Sequence, residues 1–229
     1  MGNSLKFRNE LKYRCSISEL EILKHRISSI MKLDEHAPAG GYCVRSIYFD
    51  THENRCFFEN ENGTDIRHKY RIRIYDADDS RIALEQKSKI RGKTHKETCL
   101  LTSEQYNILV HDGDLAKIKS NDPLLDKFVY LKKTQLMHPV TIVEYDRIPF
   151  VFSAGNVRVT FDMNIRSSNS FDCFFNKNLP GRQILPAGQH LLEVKYDEFL
   201  PDFIKSALAL DDLRQVTFSK YCLCRKFSM

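Results

Sequence analysis

The chain has 229 residues, of which 42% are hydrophobic and 28% charged, and its formal net charge is +5. That is apolar enough for a packed core, while the positive excess is too small to name a partner by itself. No apolar run nears the roughly 18 residues of a membrane span, and the opening residues lack the apolar stretch of a secretory signal.

Met1-Gly2-Asn3-Ser4 resembles a myristoylation start, but Lys6 stands where that pattern wants Ser or Thr. Residues 5–17 read as a strand. Ser16 or Ser18 caps a helix over 19–32, where Leu20, Leu23, Ile27 and Ile30 recur at helical spacing. Pro38-Ala39-Gly40-Gly41 is a break, 42–50 a strand, and the polar stretch 51–66 a loop or short helix. Strands follow at 69–75, 81–89 and 94–100, with a hairpin turn at 76–80. Helices are expected over 102–111 and 122–136, strands over 139–152, 156–166 and 189–197. A helix is expected over 197–210, with Pro201 near its start, before the short closing segment FSKYCLCRKF. The seven cysteines show no framework spacing, and Cys222-x-Cys224 is too tight for a zinc knuckle. A reduced, cytoplasmic chain is expected. The pattern reads as one α+β domain over 1–229, built on a barrel or a strongly curved antiparallel sheet.

Strand side chains alternate between faces. Lys69, Arg71 and Arg73 therefore share a face, opposite Tyr70, Ile72 and Ile74. Glu85, Lys87 and Lys89 share another, opposite Leu84. Arg158, Thr160 and Asp162 lie together, opposite Val157, Val159 and Phe161; Glu193 and Lys195 lie opposite Leu192, Val194 and Tyr196. A solvated face usually mixes signs, whereas three like charges in a row repel unless an anion joins them. In a closed barrel these groups would face the lumen, which must then be wet, acid-paired or anion-filled. Glu85, Asp162 and Glu193 are too few to neutralise the bases but could hold a divalent cation that bridges phosphate oxygens. Arg91, Lys93, His95 and Lys96 around Gly92 form either a solvated hairpin tip or a flexible phosphate grip. The glycines make no P-loop and no dinucleotide fingerprint, and the histidines lack metal spacing.

At these residues the chain resembles the VTC-type polyphosphate polymerase domain of the triphosphate tunnel metalloenzyme (CYTH-like) superfamily. The motifs run in order: Phe7-Arg8-Asn9-Glu10-Leu11-Lys12-Tyr13, then Arg45 to Thr51 (RSIYFDT), Lys69-Tyr70-Arg71-Ile72-Arg73, and Glu85-Gln86-Lys87. Glu144-Tyr145-Asp146-Arg147, Arg158 to Asp162, Glu193-Val194-Lys195 and Ser219-Lys220-Tyr221 complete the set. The resemblance implies an antiparallel eight-stranded β-barrel, a triphosphate tunnel, with flanking helices. It implies an enzyme that adds the γ-phosphate of ATP to polyphosphate, assisted by Mn2+ or Mg2+. Lys69, Arg71, Arg73, Lys87, Arg147, Arg158 and Lys220 would do the catalytic work. Lys12, Glu10, Lys89, Lys93, Lys96 and Lys195 would line the substrate path, and Glu193, helped by Glu85, would hold the metal. The implied partners are ATP, orthophosphate or pyrophosphate, polyphosphate, and a separate membrane protein, since neither membrane spans nor a regulatory SPX module is seen.

Hydrolytic superfamily members open with ExExK, whereas here the frame is Arg8-x-Glu10-x-Lys12. The missing carboxylate argues against efficient two-metal triphosphate hydrolysis and is consistent with the polymerase; the alternatives are a tunnel triphosphatase that releases orthophosphate and a non-catalytic polyphosphate-binding module. A nucleic-acid binder is weaker still, because Tyr70 alternates away from the basic face.

Overall fold

The computed structural model describes residues 9–38, 40–91, 93–210 and 213–228. Phe7, Arg8, Gly92 and the Met1–Ser4 opening lie outside them. The strands are β1 (Asn9–Ser16), β2 (Lys32–Leu33), β3 (Tyr42–Asp50), β4 (Ile66–Tyr75), β5 (Asp78–Ile90), β6 (Lys93–Leu101), β7 (His138–Phe152), β8 (Val157–Ser168), β9 (Arg182–Gln183) and β10 (Gln189–Tyr196). The helices are α1 (Ile17–Ser28), α2 (Arg55–Glu61), α3 (Ser103–Val110), α4 (Pro123–Gln135), α5 (Asp202–Ala207) and α6 (Lys220–Lys226). No described helix is long and apolar enough to cross a membrane, and all seven cysteines are free thiols.

Local chemistry sets most boundaries. Ser16 and Glu19 form a reciprocal capping box at the start of α1, and Thr102 and Gln105 do the same for α3. Asp122 caps α4, with Pro123 in its first turn. The β4–β5 hairpin is tighter than expected. Tyr75 pairs Asp78, and the two-residue turn puts Asp76 and Ala77 in the left-handed region at φ 51° and 57°. The helix expected over 197–210 shrinks to α5. The Asp197 amide donates to the Gly155 carbonyl at 3.0 Å, and Pro201 disfavours helical geometry at Leu200. The closing segment, left unassigned by its sequence, is helical as α6.

The expected barrel is not formed. The strands make one antiparallel sheet in the order β1-β10-β8-β7-β3-β4-β5-β6, with β2 on β7 and β9 on β8. Among the described residues no pairing joins β6 back to β1. The edge of β1 that closure would need is already taken. Tyr13 bridges Gln215, and the Val216 amide donates to the Lys12 carbonyl at 2.8 Å.

The chain divides into two compact units. The first comprises Met1–Cys43, Tyr145–Ile165 and Gln183–Ser219; the second comprises Val44–Glu144, Arg166–Arg182 and Lys220–Met229. The core of the first joins Leu20, Leu23 and Ile27 of α1 to Val157, Val159 and Phe161 of β8 and to Leu192 and Val194 of β10. Truncating one such side chain to alanine typically costs about 2–5 kcal/mol. In the second unit, Phe128 of α4 stacks on Tyr70 at 5.6 Å and meets Phe49 edge-on at 5.0 Å. In these cores α1 and α4 cover the apolar strand face.

Candidate functional site: two basic clusters on the sheet

In the second unit, strand register assembles the cations into rows. Tyr48, Arg71, Glu85 and Thr98 lie opposite one another across β3, β4, β5 and β6. Lys69, Lys87 and Lys96 form the next row, and Arg67, Lys89 and Thr94 the one after. Arg73 faces Ser46 and Ala83. Like charges directly opposite on neighbouring strands destabilise a sheet, and in the lysine row Glu85 neutralises Lys96 at 3.0 Å.

Glu85 organises these cations. Its Oε2 meets Arg71 Nη2 at 2.6 Å and Arg73 Nη1 at 3.8 Å, and its Oε1 accepts from Lys96 at 3.0 Å. Burial alone would raise the Glu85 carboxyl, but Arg71, Arg73 and Lys96 together pull it far below the usual carboxylate range. It is therefore ionised throughout ordinary pH. Arg71 Nη1 also donates to the Tyr48 hydroxyl at 2.8 Å, and Arg73 Nε to Ser46 Oγ at 3.2 Å.

Aromatic rings support the same face. Tyr48 stacks on Tyr221 of α6 with centroids 4.8 Å apart, and Lys69 Nζ lies 5.7 Å from the Tyr221 ring centroid. The Tyr221 hydroxyl donates to Asp50 Oδ2 at 2.5 Å. Asp50 also accepts the amides of Thr51, Cys56 and Phe57 and so ties α2 to β3. Lys220 begins α6, beside Tyr221. Lys93 and Lys96 are exposed on β6, whereas Lys87 and Lys89 are half-buried on β5.

The first unit carries the other cluster. Lys12 lies opposite Glu193, which lies opposite Thr160; Glu10 lies opposite Lys195, which lies opposite Arg158. Arg147 Nε and Nη2 donate to the two Asp162 oxygens at 2.7 and 2.8 Å, and Nη2 reaches Glu193 Oε2 at 3.3 Å. Burial alone would lower the Arg147 pKa, but Asp162 foremost, with Tyr145 and Glu193, holds it well above the usual value. Lys195 stands 3.3 Å from Glu193 Oε2, and Lys12 stands 3.8 Å from Oε1 and 2.9 Å from Glu10. Lys12 also donates to the Phe218 carbonyl at 2.9 Å. Gly41 makes room for this cluster. At φ 85° its missing side chain leaves space that a Cβ would fill against the Arg147 carbonyl.

The sequence had singled out the cations and the acids Glu85, Asp162 and Glu193, but not the remaining holders. Asp34, in the loop after β2, meets Arg158 Nη1 at 3.0 Å, and the Tyr42 hydroxyl accepts from Nη2 at 3.1 Å. Ser46 and Tyr48 hold Arg73 and Arg71. Alternation along β3 places Ser46 and Tyr48 on one face and was the available signal. Asp34, outside any strand pattern, had none.

Among the described residues no group of three or more His, Cys, Asp or Glu could hold a metal ion. The donor set nevertheless suits a magnesium-type ion, which usually takes one or two carboxylates and completes its shell with water and substrate phosphate. Glu193 is buried, and Thr160 opposite it keeps a buried hydroxyl with no hydrogen-bond partner. An unsatisfied buried hydroxyl is costly, and a ligand oxygen beside Glu193 would relieve it.

A protein from Bacillus halodurans, provisionally named an adenylate cyclase, is 13% identical over 90% of this chain and 87% of its own, with a TM-score of 0.49. A chain of the Mediator head module of Schizosaccharomyces pombe is 8% identical over 87% of this chain and 88% of its own, with a TM-score of 0.48. The Mimivirus capping enzyme triphosphatase is 11% identical over 83% and 80%, with a TM-score of 0.37. At these scores the likenesses carry no argument about function. A search of the curated proteins finds no match. The family model of the VTC domain, by contrast, matches residues 7–229 and so takes in every residue of both clusters: the chain belongs to the VTC-domain family.

Proposed function

We propose that the chain is an ATP-dependent polyphosphate polymerase. Its VTC-domain membership supports a phosphotransferase that acts on polyphosphate. The observation that carries the reading is the Lys69–Lys87–Lys96 row, three like charges set side by side across β4, β5 and β6. A repeating polyanion matches a repeating row of cations better than a single small anion does.

In the reaction, the bond from the γ-phosphorus to the β,γ-bridging oxygen breaks. A new bond forms from that phosphorus to a terminal oxygen of the acceptor, and ADP leaves with the electron pair. Orthophosphate or pyrophosphate would start a chain. The acceptor oxygen is already anionic at neutral pH, so no side chain need act as general base. The protein's share is positioning and charge neutralisation. Lys69, Arg71, Arg73, Lys87 and Lys220, with Lys89, Lys93 and Lys96, would hold phosphates in the second unit. Arg147, Arg158, Lys12 and Lys195 would do so in the first, with Glu10 steering Lys12. Guanidinium groups fixed by Asp162, Glu85 and Asp34 arrive pre-oriented, which spares reorganisation as charge develops on the transferred group. Mn2+ or Mg2+ entering with the phosphates would be held by Glu193 and would supply further neutralisation. Glu85 would help Glu193 as the less committed ligand while it orients Arg71 and Arg73. A separate membrane protein would carry the polymer onward.

The test is incubation of purified protein with ATP and Mn2+, resolved on a gel stained for polyphosphate, with orthophosphate followed in parallel. A polymer ladder lost in Glu193→Ala supports the polymerase. Orthophosphate without polymer makes the chain a triphosphatase, and binding without turnover makes it a polyphosphate-binding module.

A further inference from the structure

Lys132 lies in the last turn of α4, 6% exposed and outside both basic clusters. Its Nζ donates to the Met137 carbonyl at 3.0 Å and reaches Asp112 Oδ1 at 3.4 Å. It also stands 5.8 Å from the centroid of the Phe49 ring. An ammonium has three N–H donors, and these acceptors use two of them, one at the long limit of a hydrogen bond. The Asp112 side chain is 78% exposed, so solvent screens the one carboxylate beside the buried charge. Burial accordingly pushes the Lys132 pKa down, against the pull of Asp112.

Lys132, its side chain 4% exposed, is among the residues that line an open surface pocket of about 330 Å³. Leu115, Leu136 and Met137 give it an apolar wall, and Asp112 and His138 share its lining. The volume is at the small end for ligand sites, which run from roughly 300 to 1,000 Å³. His138 Nδ1 is within 3.1 Å of the Leu136 carbonyl and so acts as a donor there, which leaves the neutral ring no spare N–H. Lys132 is the cation of this lining, and Asp112 would repel a dianion.

We propose that this cavity binds a small organic monocarboxylate. Its carboxylate accepts the third Lys132 N–H, and its short alkyl part lies against Leu115, Leu136 and Met137. The ligand would raise the stability of the unit by relieving the buried charge, and it would do so independently of phosphoryl transfer.

The experiment is a titration of the full chain, labelled with 13C at lysine Cε, with butyrate at constant ionic strength and with orthophosphate as the comparison anion. Saturable displacement of the Lys132 signal by butyrate, with an upward shift of its titration midpoint, is expected. Lys132→Met should weaken butyrate binding, read by calorimetry, about tenfold or more, the loss expected for a charged hydrogen bond. Polymer synthesis by the variant should stay at the wild-type level. No saturable displacement in the wild type overturns the proposal. So does equal butyrate affinity in Lys132→Met, or orthophosphate that competes as well as butyrate.

Discussion

The Arg147 guanidinium meets the Asp162 carboxylate through two parallel hydrogen bonds, Nε to Oδ1 at 2.7 Å and Nη2 to Oδ2 at 2.8 Å. Asp162 is fully buried. Removing one partner of such a pair strands the other charge, which costs about 3–5 kcal/mol. Asp162→Ala should therefore lower the unfolding free energy by roughly that amount in urea. A change within about 0.5 kcal/mol, the scatter of ordinary surface substitutions, would show that the pair does not anchor Arg147.

Arg71→Ala and Glu193→Ala should each lower polymer synthesis by on the order of 10²-fold or more, the usual loss when a charge-stabilising group is removed. Circular dichroism should show the fold retained in both. Wild-type turnover in either variant would remove that residue from the phosphate path.

Acid should weaken the second unit through Glu85. Its folded pKa lies below the ordinary value of 4.5, because Arg71, Arg73 and Lys96 outweigh the opposing effect of burial. The unfolded chain thus binds the proton more readily. The stability Glu85 contributes is present above pH 4.5 and is lost as pH falls below that value toward the folded pKa. The stability difference between wild type and Glu85→Gln should shrink over that acidic window. A difference that stays constant from pH 6 to pH 3 would contradict the linkage.

Polyphosphate should raise the melting temperature. A ligand at 100 times its dissociation constant stabilises by about 2.7 kcal/mol, and here it would also relieve the lysine row. Lys69→Gln and Lys87→Gln should shrink the shift, and salt should shrink it for every form of the protein. An unchanged melting point at saturating polymer would count against polyanion binding on this face.

Gly41→Ala should destabilise by more than about 1 kcal/mol, since a Cβ there meets the Arg147 carbonyl and φ is 85°. Thermal unfolding measures this directly, and a neutral result would mean that β7 shifts without cost.

Much of the candidate site was legible because a strand has a period of two. The alternation in KYRIRIY put Lys69, Arg71 and Arg73 on one face, and the register of β4 with β5 then set Lys87 opposite Lys69. The same rule separated Arg158 and Asp162 from the core residues Val157, Val159 and Phe161. Capping chemistry was legible too: Ser16 and Asp122 begin α1 and α4 as local hydrogen-bond acceptors. Alternation fails at β5, where Gln86 and Ser88 are buried on the face away from Glu85 and Lys87. There Gln86 Nε2 donates to Ser88 Oγ at 2.9 Å, so polar residues fill positions that the pattern would give to apolar ones.

The sequence by itself determined the sheet, its charged and apolar faces and the family, because all three are written in short-range periodicity and in motifs a few residues long. Only the tertiary structure decided that the sheet stays open, that Asp34 and Tyr42 hold Arg158, and that Glu85 gathers Arg71, Arg73 and Lys96. The physical reason is the same in each case. Which edge a strand offers, and which acid reaches which base, depends on segments far apart in the chain. The Val216 amide on the Lys12 carbonyl closes the free edge of β1, and no local pattern in either segment records that pairing.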